Sequence, residues 1–443
     1  MTSNAILNKH LLPHLGLLLF LIILFDCRVF AEQAPPTAVK STQNPIVISE
    51  VSTHPVLTWE GYPDAVIYEL EIAQTESFSA ENIIYHSTSV YSSGCQPDLS
   101  QWLGYTLCYR VRPLDYDRNP IGDWTSPATF QVTHPEDFDQ FKPHTIPTWS
   151  KVTPILYPVY SWIPVFNAAA YKVEVFSVDK SVPLQSKNRY RLLSTYNLDG
   201  SLIGECYDEA SRVGDFAWHV QALDKDKQPI GLFSDLEEFS LEAIPGKFPV
   251  GVFGDSIMHG GGAVSGSPSD FHYSLHAYLD LPALNLAKSG DTSEASLQRF
   301  DKDIVPFAPQ TLLVLTGTNS IRGGESAENV ITQLNTIYNK CLENNIAPVF
   351  LTLPPINPDR ISIVFQQKSA TNWQVEMGKV NQYILLTFPH LDVAPLFADE
   401  EGKIPVKWST DGLHPDSKAK QLIANIFNHS KFNNSTTTSG DST

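Results

Sequence analysis

The sequence predicts a multidomain chain in which two all-β sandwich domains precede a three-layer α/β domain with a parallel sheet. Three observations lead to this prediction. The N-terminal half contains an internal repeat, its apolar residues alternate with polar ones at period two, and apolar runs alternate with helical stretches from about residue 247 onward. The length of 443 residues agrees with about three domains.

The two ends of the chain differ from the rest. An apolar run from Leu15 to Phe25 is typical of an export signal and is short for a membrane span, which needs about 20 apolar residues. We expect residues 1–31 to be a signal peptide, 32–45 a linker and 431–443 a disordered tail. The protein would then be secreted or periplasmic, with no stable membrane span after signal removal; an uncleaved membrane anchor is the alternative.

The internal repeat divides the N-terminal half into two similar units. Residues 109–122 match residues 218–231 at a constant offset, with Leu-Asp and Pro-Ile-Gly at the same places in both. Strand-like alternation occurs in each copy, and turns rich in Asp, Asn, Pro and Gly separate the strands. The pattern predicts one β-sandwich over residues 46–133 and a second over residues 146–243.

Aromatic residues recur at matching places in the two units. Trp59 matches Trp162 in an early strand, Tyr68 matches Tyr171 in the next, and a Trp/Tyr-x-Val-x-x-Leu-Asp strand comes late in both. In this the units resemble fibronectin type III domains. The resemblance implies sandwich modules with these rings in the core, and a glycan- or protein-binding role follows only by analogy of fold.

The net charge of the chain bears on its possible partners, and its cysteines bear on disulfides and metal sites. The formal net charge is −18, and an acidic surface repels phosphate backbones, so we expect no nucleic acid partner. Cys95 and Cys108 could pair in an oxidising compartment, whereas Cys341 on the apolar face of a predicted helix favours a buried thiol. No cysteine–histidine cluster is present in the sequence, so we expect no metal and no cofactor.

Four short motifs follow predicted strands or turns of the segment 247–430, which we expect to form the α/β domain. In open α/β sheets, such strand ends form the ligand site. The motifs are Gly254-Asp255-Ser256, Asn285 to Gly290, Gly317-Thr318-Asn319 and Asp411-Gly412-Leu413-His414. Each alone has an ordinary interpretation as a turn, a turn glycine, or a helix-capping aspartate before a surface histidine. The last motif could also hold a metal, but a third ligand is not evident.

The four motifs together resemble the SGNH/GDSL hydrolase superfamily, because they occur in its order within about 180 residues. The resemblance implies that Ser256 is the nucleophile, His414 its base and Asp411 the carboxylate that orients the imidazole. It also implies an oxyanion hole formed by the N–H groups of Ser256 and Gly290 and by the Asn319 side chain.

Two further details bear on this resemblance. Ser320 stands where the superfamily often has an aspartate, a departure that leaves the Asn319 donor intact. An ordinary α/β-hydrolase would need a Gly-x-Ser-x-Gly elbow, and the sequence has none. We also expect Asp255 to hold the turn at Ser256 through hydrogen bonds.

The resemblance implies a serine esterase that hydrolyses carboxylic esters through an acyl-enzyme. Export, tandem sandwiches and polar linking segments favour an O-acetyl esterase whose substrate is an acetylated glycan or polysaccharide. A lipase or thioesterase-type acyl hydrolase is the first alternative, and a binding or adhesion protein with an inert hydrolase domain is the second. The glycine-rich segment 260–266 could form a pocket wall or be an ordinary loop. Trp408 could line the pocket, and core packing is the alternative for it and for Trp373. The sequence indicates no oligomeric state.

Overall fold

The computed structural model describes residues 49–62, 65–146, 154–200, 204–260 and 274–434. The expected signal peptide and linker, and nearly all of the expected tail, lie outside these ranges. Within them, no helix combines the length and hydropathy needed to cross a membrane.

The first β-rich unit runs from Ser49 to His134. Its strands are Ser49–Ser52 (β1), Leu57–Thr58 (β2), Ile67–Ala73 (β3), Ile83–Val90 (β4), Gly94–Cys95 (β5), Thr106–Leu114 (β6) and Ala128–His134 (β7). Five of them form one sheet in the order β1-β7-β6-β3-β4, and β2 pairs with β5. Cys95 and Cys108 are both free thiols here, so the possible disulfide between them is not formed.

Strand β3 shows how this unit buries a strand with alternating residues. Leu70 and Ile72 are fully buried in the core, as the alternation predicts. The intervening Glu69 and Glu71 are also nearly buried, because Arg112 and Arg110 on the neighbouring strand β6 pair with them at 2.5 and 2.7 Å. The polar face of the sheet is therefore covered by ion pairs.

The second β-rich unit runs from Val159 to Leu241. Its strands are Val159–Ser161 (β8), Ala170–Val178 (β9), Tyr190–Asp199 (β10), Glu205–Tyr207 (β11), Gly214–Leu223 (β12), Pro229–Ile230 (β13) and Glu237–Leu241 (β14). One sheet has the order β10-β9-β12-β13 with β14 also paired to β12, and β11 pairs with β8. Trp162 and Trp218 are fully buried in its core.

The structure places the repeated residues at equivalent positions in the two units. Tyr68 lies in β3 and Tyr171 in β9, and the ring of each packs in the core of its unit. The hydroxyl oxygen of each accepts a hydrogen bond from the backbone N–H of the residue six positions earlier. Two β-rich units therefore exist where the repeat predicts them. The finer fibronectin type III resemblance stays a prediction.

The α/β unit begins at Val250. Its strands are Val250–Gly254 (β15), Ala283–Asn285 (β16), Thr311–Leu315 (β17), Ala347–Leu351 (β18) and His390–Leu391 (β19). Its helices are Ser256–His259 (α1), Ser293–Asp303 (α2), Thr318–Arg322 (α3), Ala327–Glu343 (α4), Pro358–Phe365 (α5), Trp373–Thr387 (α6), Ser417–Asn428 (α7) and Lys431–Asn434 (α8). All strand pairs are parallel, in the order β16-β15-β17-β18-β19.

Parallel strands need helices over them, and the sequence supplies these. Strands β15 and β17 are buried at every position. Helix α4 shows the apolar spacing that predicts it, with Val330, Leu334, Ile337 and Cys341 all fully buried. The parallel sheet with helices agrees with the predicted fold class, and the buried thiol of Cys341 is confirmed.

The segment just before the second β-rich unit pairs with the edge of the α/β sheet. The segment before β8 lies parallel to β16, where Leu156 N–H donates to Asn285 O at 2.8 Å and Asn285 N–H donates to Pro154 O at 3.0 Å. Leu156 and Tyr157 are buried within the α/β core. This edge of the sheet is therefore completed by residues that precede the α/β unit by about a hundred positions.

Candidate active site

Ser256 lies at the sharp turn between strand β15 and helix α1. Gly254 adopts φ +146°, and a Cβ atom there would come within 1.8 Å of Leu315 O, so only glycine fits. Asp255 caps α1 through its Oδ1, which accepts from Ile257 N–H at 3.0 Å. The expected structural role of Asp255 agrees with this contact.

The structure brings Ser256, His414 and Asp411 into one hydrogen-bonded chain. His414 Nε2 lies 2.8 Å from Ser256 Oγ, and His414 Nδ1 lies 2.7 Å from Asp411 Oδ2. Because the ionised carboxylate can only accept, Nδ1 carries the proton and Nε2 is free to accept the serine proton. Ser256 is 9% exposed and Asp411 is fully buried.

The Asp411 carboxylate is held by several donors besides His414. Its Oδ1 accepts from the N–H groups of Leu413 and His414, both at 2.8 Å, and from the Ser409 hydroxyl at 3.1 Å. Burial by itself raises the pKa of this carboxyl, but the His414 side chain and the N–H groups of His414 and Leu413 outweigh it and lower the pKa below the usual value. Asp411 is thus ionised and fixed in orientation.

Gly290 and Asn319 lie on either side of the serine. They follow strands β16 and β17, and β15, which ends two residues before Ser256, lies between these two strands in the sheet. Gly290 adopts φ +85°, and its N–H donates to no acceptor among the described residues. Asn319 Nδ2 donates to Asp291 O at 2.9 Å, which ties its amide to the Gly290 loop and leaves one amide proton for another acceptor.

The departure at Ser320 has a local explanation. Its hydroxyl oxygen accepts from Ser293 N–H at 3.1 Å and lies 2.9 Å from Ser293 Oγ. The residue therefore joins the first turn of α2, which follows the Gly290 motif, to the first turn of α3, which contains Asn319. Its side chain contributes to the framework around the Asn319 amide.

Arg299 joins the ends of the strands that carry the site, and the sequence analysis did not single it out. Its Nε donates to Asp291 Oδ2 at 2.5 Å, one terminal nitrogen donates to Leu286 O at 2.6 Å, and the other donates to Gly254 O at 3.0 Å. The guanidinium thus fixes the segments just before Ser256 and around Gly290. The only sequence signal is its i,i+4 spacing to Asp303 on helix α2.

The segment just before the second β-rich unit contacts this framework through Tyr157. The Tyr157 hydroxyl donates to Asp303 Oδ2 at 2.5 Å, and a terminal nitrogen of Arg299 donates to the same Asp303 oxygen at 3.3 Å. The backbone oxygen of Tyr157 accepts from His259 Nε2 at 2.8 Å at the end of α1. Burial lowers the pKa of His259 to about 3, so the imidazole is neutral and works as a structural donor.

Two buried ionisable groups contact the backbone of helix α1 at Ile257, next to Ser256. Burial raises the pKa of Asp255 to about 7, and its Oδ2 atom has no hydrogen-bond partner among the described residues. Burial lowers the pKa of Lys420 to about 7, and the Lys420 ammonium donates to Ile257 O. Each group's charge partly offsets the shift of the other.

Aromatic residues lie near the site in different roles. The Phe365 ring, at the end of α5, meets the His414 ring edge-on with centroids 6.0 Å apart, so it borders the imidazole. Trp408 packs edge-on against Phe397 at 5.6 Å, and Trp373 is buried, which favours the structural interpretation of both tryptophans. Of the glycine-rich segment 260–266, residues 261–266 lie outside the described ranges.

Metal-ligating side chains come together at one place in the described ranges, away from the serine. Glu69, Glu71 and His86 lie within ligand distance of one another on β3 and β4. Their carboxylates already pair with Arg112 and Arg110, and His86 Nε2 lies 2.8 Å from Glu69. Two arginine cations already pair with these carboxylates, so we interpret the cluster as an ion-pair network of the sheet.

Comparison with known protein families gives one match that coincides with this site. Residues 252–422 match the GDSL-like Lipase/Acylhydrolase family, and this range includes all the residues that the four sequence motifs single out. The α/β unit of the chain therefore contains a domain of the GDSL-like lipase/acylhydrolase family. The comparison with curated proteins gave no match.

Solved structures provide further similarities. A GDSL-like lipase from Bacteroides thetaiotaomicron is 15% identical over 42% of this chain and 88% of its own, with a TM-score of 0.34. A lipase/acylhydrolase from Enterococcus faecalis is 19% identical over 42% and 95%, with a TM-score of 0.34. A psychrotrophic esterase from Pseudoalteromonas is 18% identical over 40% and 93%, with a TM-score of 0.29.

Proposed function

We propose that the protein is a serine esterase that hydrolyses carboxylic esters through an acyl-enzyme. The observation that carries this proposal is the continuous chain from Ser256 Oγ through the His414 imidazole to the buried Asp411 carboxylate, with contacts of 2.8 and 2.7 Å. A hydroxyl beside an oriented, neutral imidazole is the arrangement that turns serine into a nucleophile. The match to an acylhydrolase family supports an ester as the substrate.

The first half of the reaction uses the hydrogen-bonded chain directly. His414 Nε2 takes the proton of Ser256 as Oγ attacks the ester carbonyl carbon. The imidazolium that results is stabilised by Asp411, which has no solvent contact to weaken the interaction. The tetrahedral oxyanion receives hydrogen bonds from the N–H groups of Ser256 and Gly290 and from the free amide proton of Asn319.

Collapse of this intermediate releases the alcohol, which takes the proton from His414, and leaves the acyl group on Ser256. Water then attacks the acyl-enzyme with His414 again as base, and the carboxylic acid leaves. The first turn of α1 supports both steps, because the Ser256 N–H at a helix start has no intrahelical acceptor. Arg299 keeps the donor loops at fixed separation through its bonds to Gly254 and Asp291.

We propose an acetylated glycan as the substrate and a location outside the cytoplasm. The apolar N-terminal run supports export, and the two β-rich units support an extended, polar substrate better than a free acyl chain. A lipase or thioesterase would instead need a site that takes a long acyl chain. A binding protein with an inert hydrolase domain would not need the oriented carboxylate–imidazole–serine chain.

The test measures p-nitrophenol release from the acetate, butyrate and octanoate esters by the full chain and by its Ser256→Ala variant, followed by acetate release from acetylated xylan. Acetate turnover that disappears in the variant, together with acetate release from the glycan, is the expected result. A preference for octanoate would contradict the glycan proposal and favour the lipase or thioesterase. Absence of turnover on every ester would contradict the esterase itself.

A further inference from the structure

Arg360, in the first turn of helix α5, connects the first β-rich unit to the segment that carries Asp411. Its Nε donates to Thr410 O at 2.6 Å. Its two terminal nitrogens donate to the two carboxylate oxygens of Asp117 at 3.1 and 3.2 Å, a bidentate pair. The Arg360 side chain is only 11% exposed, so the pair is well shielded on the arginine side.

The same helix turn holds the backbone on both sides of Asp411. Asn357 N–H donates to Gly412 O at 2.7 Å, while Arg360 holds the carbonyl of Thr410. Gly412 adopts φ +80°, and a Cβ atom there would meet Arg360 Cβ at 2.7 Å and Asn357 O at 2.8 Å. The backbone around Asp411 therefore packs closely against α5 and cannot shift without moving Arg360.

The partner of Arg360 belongs to a turn that occurs twice in the chain. In the first unit Asp115 N–H donates to Asn119 O at 2.9 Å, and in the second unit Asp224 N–H donates to Gln228 O at 2.8 Å. The two turns also share a left-handed residue, Arg118 in one and Lys227 in the other.

Only the turn of the first unit is directed at the α/β unit. In the second turn, Lys225 and Asp226 pair with each other and are 83% and 66% exposed. In the first turn, Tyr116 and Asp117 occupy these positions, and the Tyr116 ring lies 4.6 Å from the Arg360 guanidinium carbon. The shared turn is therefore a general feature of both units, and the contact with Arg360 is specific to the first.

We propose that Asp117 is a positioning residue of the esterase and that the first β-rich unit completes its active site. Asp117 fixes the Arg360 guanidinium, Arg360 fixes the Thr410 carbonyl, and the Asp411 carboxylate is thereby held against His414. This inference rests on the proposed esterase function. Without Asp117, Arg360 keeps its charge but loses its bidentate partner, and the backbone beside Asp411 loses its fixed donor.

The expected effect is on turnover and not on substrate binding. A displacement of about 1 Å in a catalytic group can cost on the order of a hundredfold in rate, and Asp411 keeps its other donors, so we expect about a tenfold loss of kcat in Asp117→Ala. KM should stay close to the wild-type value, because Asp117 does not touch the serine or the oxyanion donors. Asp117→Glu keeps the carboxylate and should recover most of the loss.

The experiment compares the full chain with Asp117→Ala, Asp117→Glu and Asp226→Ala, the last being the matched change in the second turn. Hydrolysis of p-nitrophenyl acetate gives kcat and KM, with active sites counted by titration with an organophosphonate. We expect kcat per active site to fall only in Asp117→Ala. A wild-type kcat in that variant, or an equal loss in Asp226→Ala, would overturn the inference.

A second measurement separates this inference from the esterase proposal. The proton between His414 Nδ1 and Asp411 gives a far-downfield proton NMR resonance when that hydrogen bond is ordered, whether or not the protein turns over an ester. We expect this resonance to shift or broaden in Asp117→Ala and to stay unchanged in Asp226→Ala. A wild type without turnover would overturn the esterase proposal, and an unaltered resonance in Asp117→Ala would overturn the positioning role.

Discussion

The Tyr157 hydroxyl is the contact through which the segment just before the second β-rich unit supports the serine side of the site, and Tyr157→Phe removes it with little change of shape. The hydroxyl donates to Asp303 Oδ2 at 2.5 Å, and Asp303 is 1% exposed. The other Asp303 oxygen has no partner among the described residues. Burial, with the bond to Asp303, raises the pKa of Tyr157, so the hydroxyl stays a neutral donor at working pH.

The expected loss of stability in Tyr157→Phe follows from the kind of hydrogen bond that the substitution removes. A buried hydrogen bond to a charged acceptor contributes about 1.5–3 kcal/mol, so Tyr157→Phe should lower the free energy of unfolding by about 2 kcal/mol. Among the described residues, the Asp303 side chain then keeps only its longer contact with Arg299, at 3.3 Å. If weaker Arg299 contacts at the strand ends raise the activation free energy by about 1 kcal/mol, kcat falls about fivefold.

The assay pairs urea unfolding, followed by tryptophan fluorescence, with kcat on p-nitrophenyl acetate. Tyr160→Phe is the matched control, because the Tyr160 hydroxyl donates to the buried Asp208 at 2.6 Å inside the second unit. Both variants should lose stability, and only Tyr157→Phe should lose turnover. Equal kcat in the two variants would refute the proposed link between Tyr157 and the site.

Three further predictions concern single residues. Asn319→Ala should lower kcat by about 10²–10³ with little effect on KM, and a loss below about threefold would contradict its role as an oxyanion donor. Leu156→Ala should cost about 2–5 kcal/mol in urea unfolding, because Leu156 is fully buried in the α/β core; an unchanged midpoint would contradict that packing. Burial raises the pKa of Asp255 to about 7, so the folded protein keeps the Asp255 proton to higher pH than the unfolded chain does. The stability that this protonated carboxyl contributes is therefore lost as pH rises from about 4 through 7. The Asn side chain of Asp255→Asn does not titrate, so the variant should become more stable relative to the wild type as pH rises over this range. Parallel curves of stability against pH for the two proteins would contradict the raised pKa of Asp255.

The sequence predicts those parts of the site that lie in short, continuous motifs at strand ends. Ser256, Gly290 and Asn319 each follow a buried parallel strand, and parallel strands bring their carboxyl ends to one edge of the sheet. The three-residue spacing of Asp411 and His414 lets a local turn join them. In these cases the relevant partners are close in sequence or are related by the regular geometry of the sheet.

The supporting contacts could not be predicted, because their partners are far apart in the chain. Arg360 and Asp117 are separated by 243 residues, and Tyr157 and Asp303 by 146. Nothing in an aspartate of a surface turn indicates which distant arginine it will meet. The sequence places Leu156 within the second predicted sandwich, and only the structure shows it paired with the edge strand β16.

The cysteines show the same limit in a simpler form. Spacing allows Cys95 and Cys108 to pair, but Cys95 lies in the short strand β5 and Cys108 in β6, and both remain thiols. Cys108 is buried with its sulfur 3.5 Å from Ala73 O. Burial raises the pKa of both thiols to about 11, which makes them unreactive.

The proposed mechanism requires that Ser256 form an acyl-enzyme with His414 as its base, and direct detection of that species tests it best. The full chain would be quenched in acid within its first turnover of p-nitrophenyl acetate and its peptides analysed by mass spectrometry, next to Ser256→Ala. Acetylation confined to Ser256, absent from the variant, is the predicted result. Turnover with no modification of Ser256, or acetylation that persists elsewhere in an active Ser256→Ala protein, would contradict it.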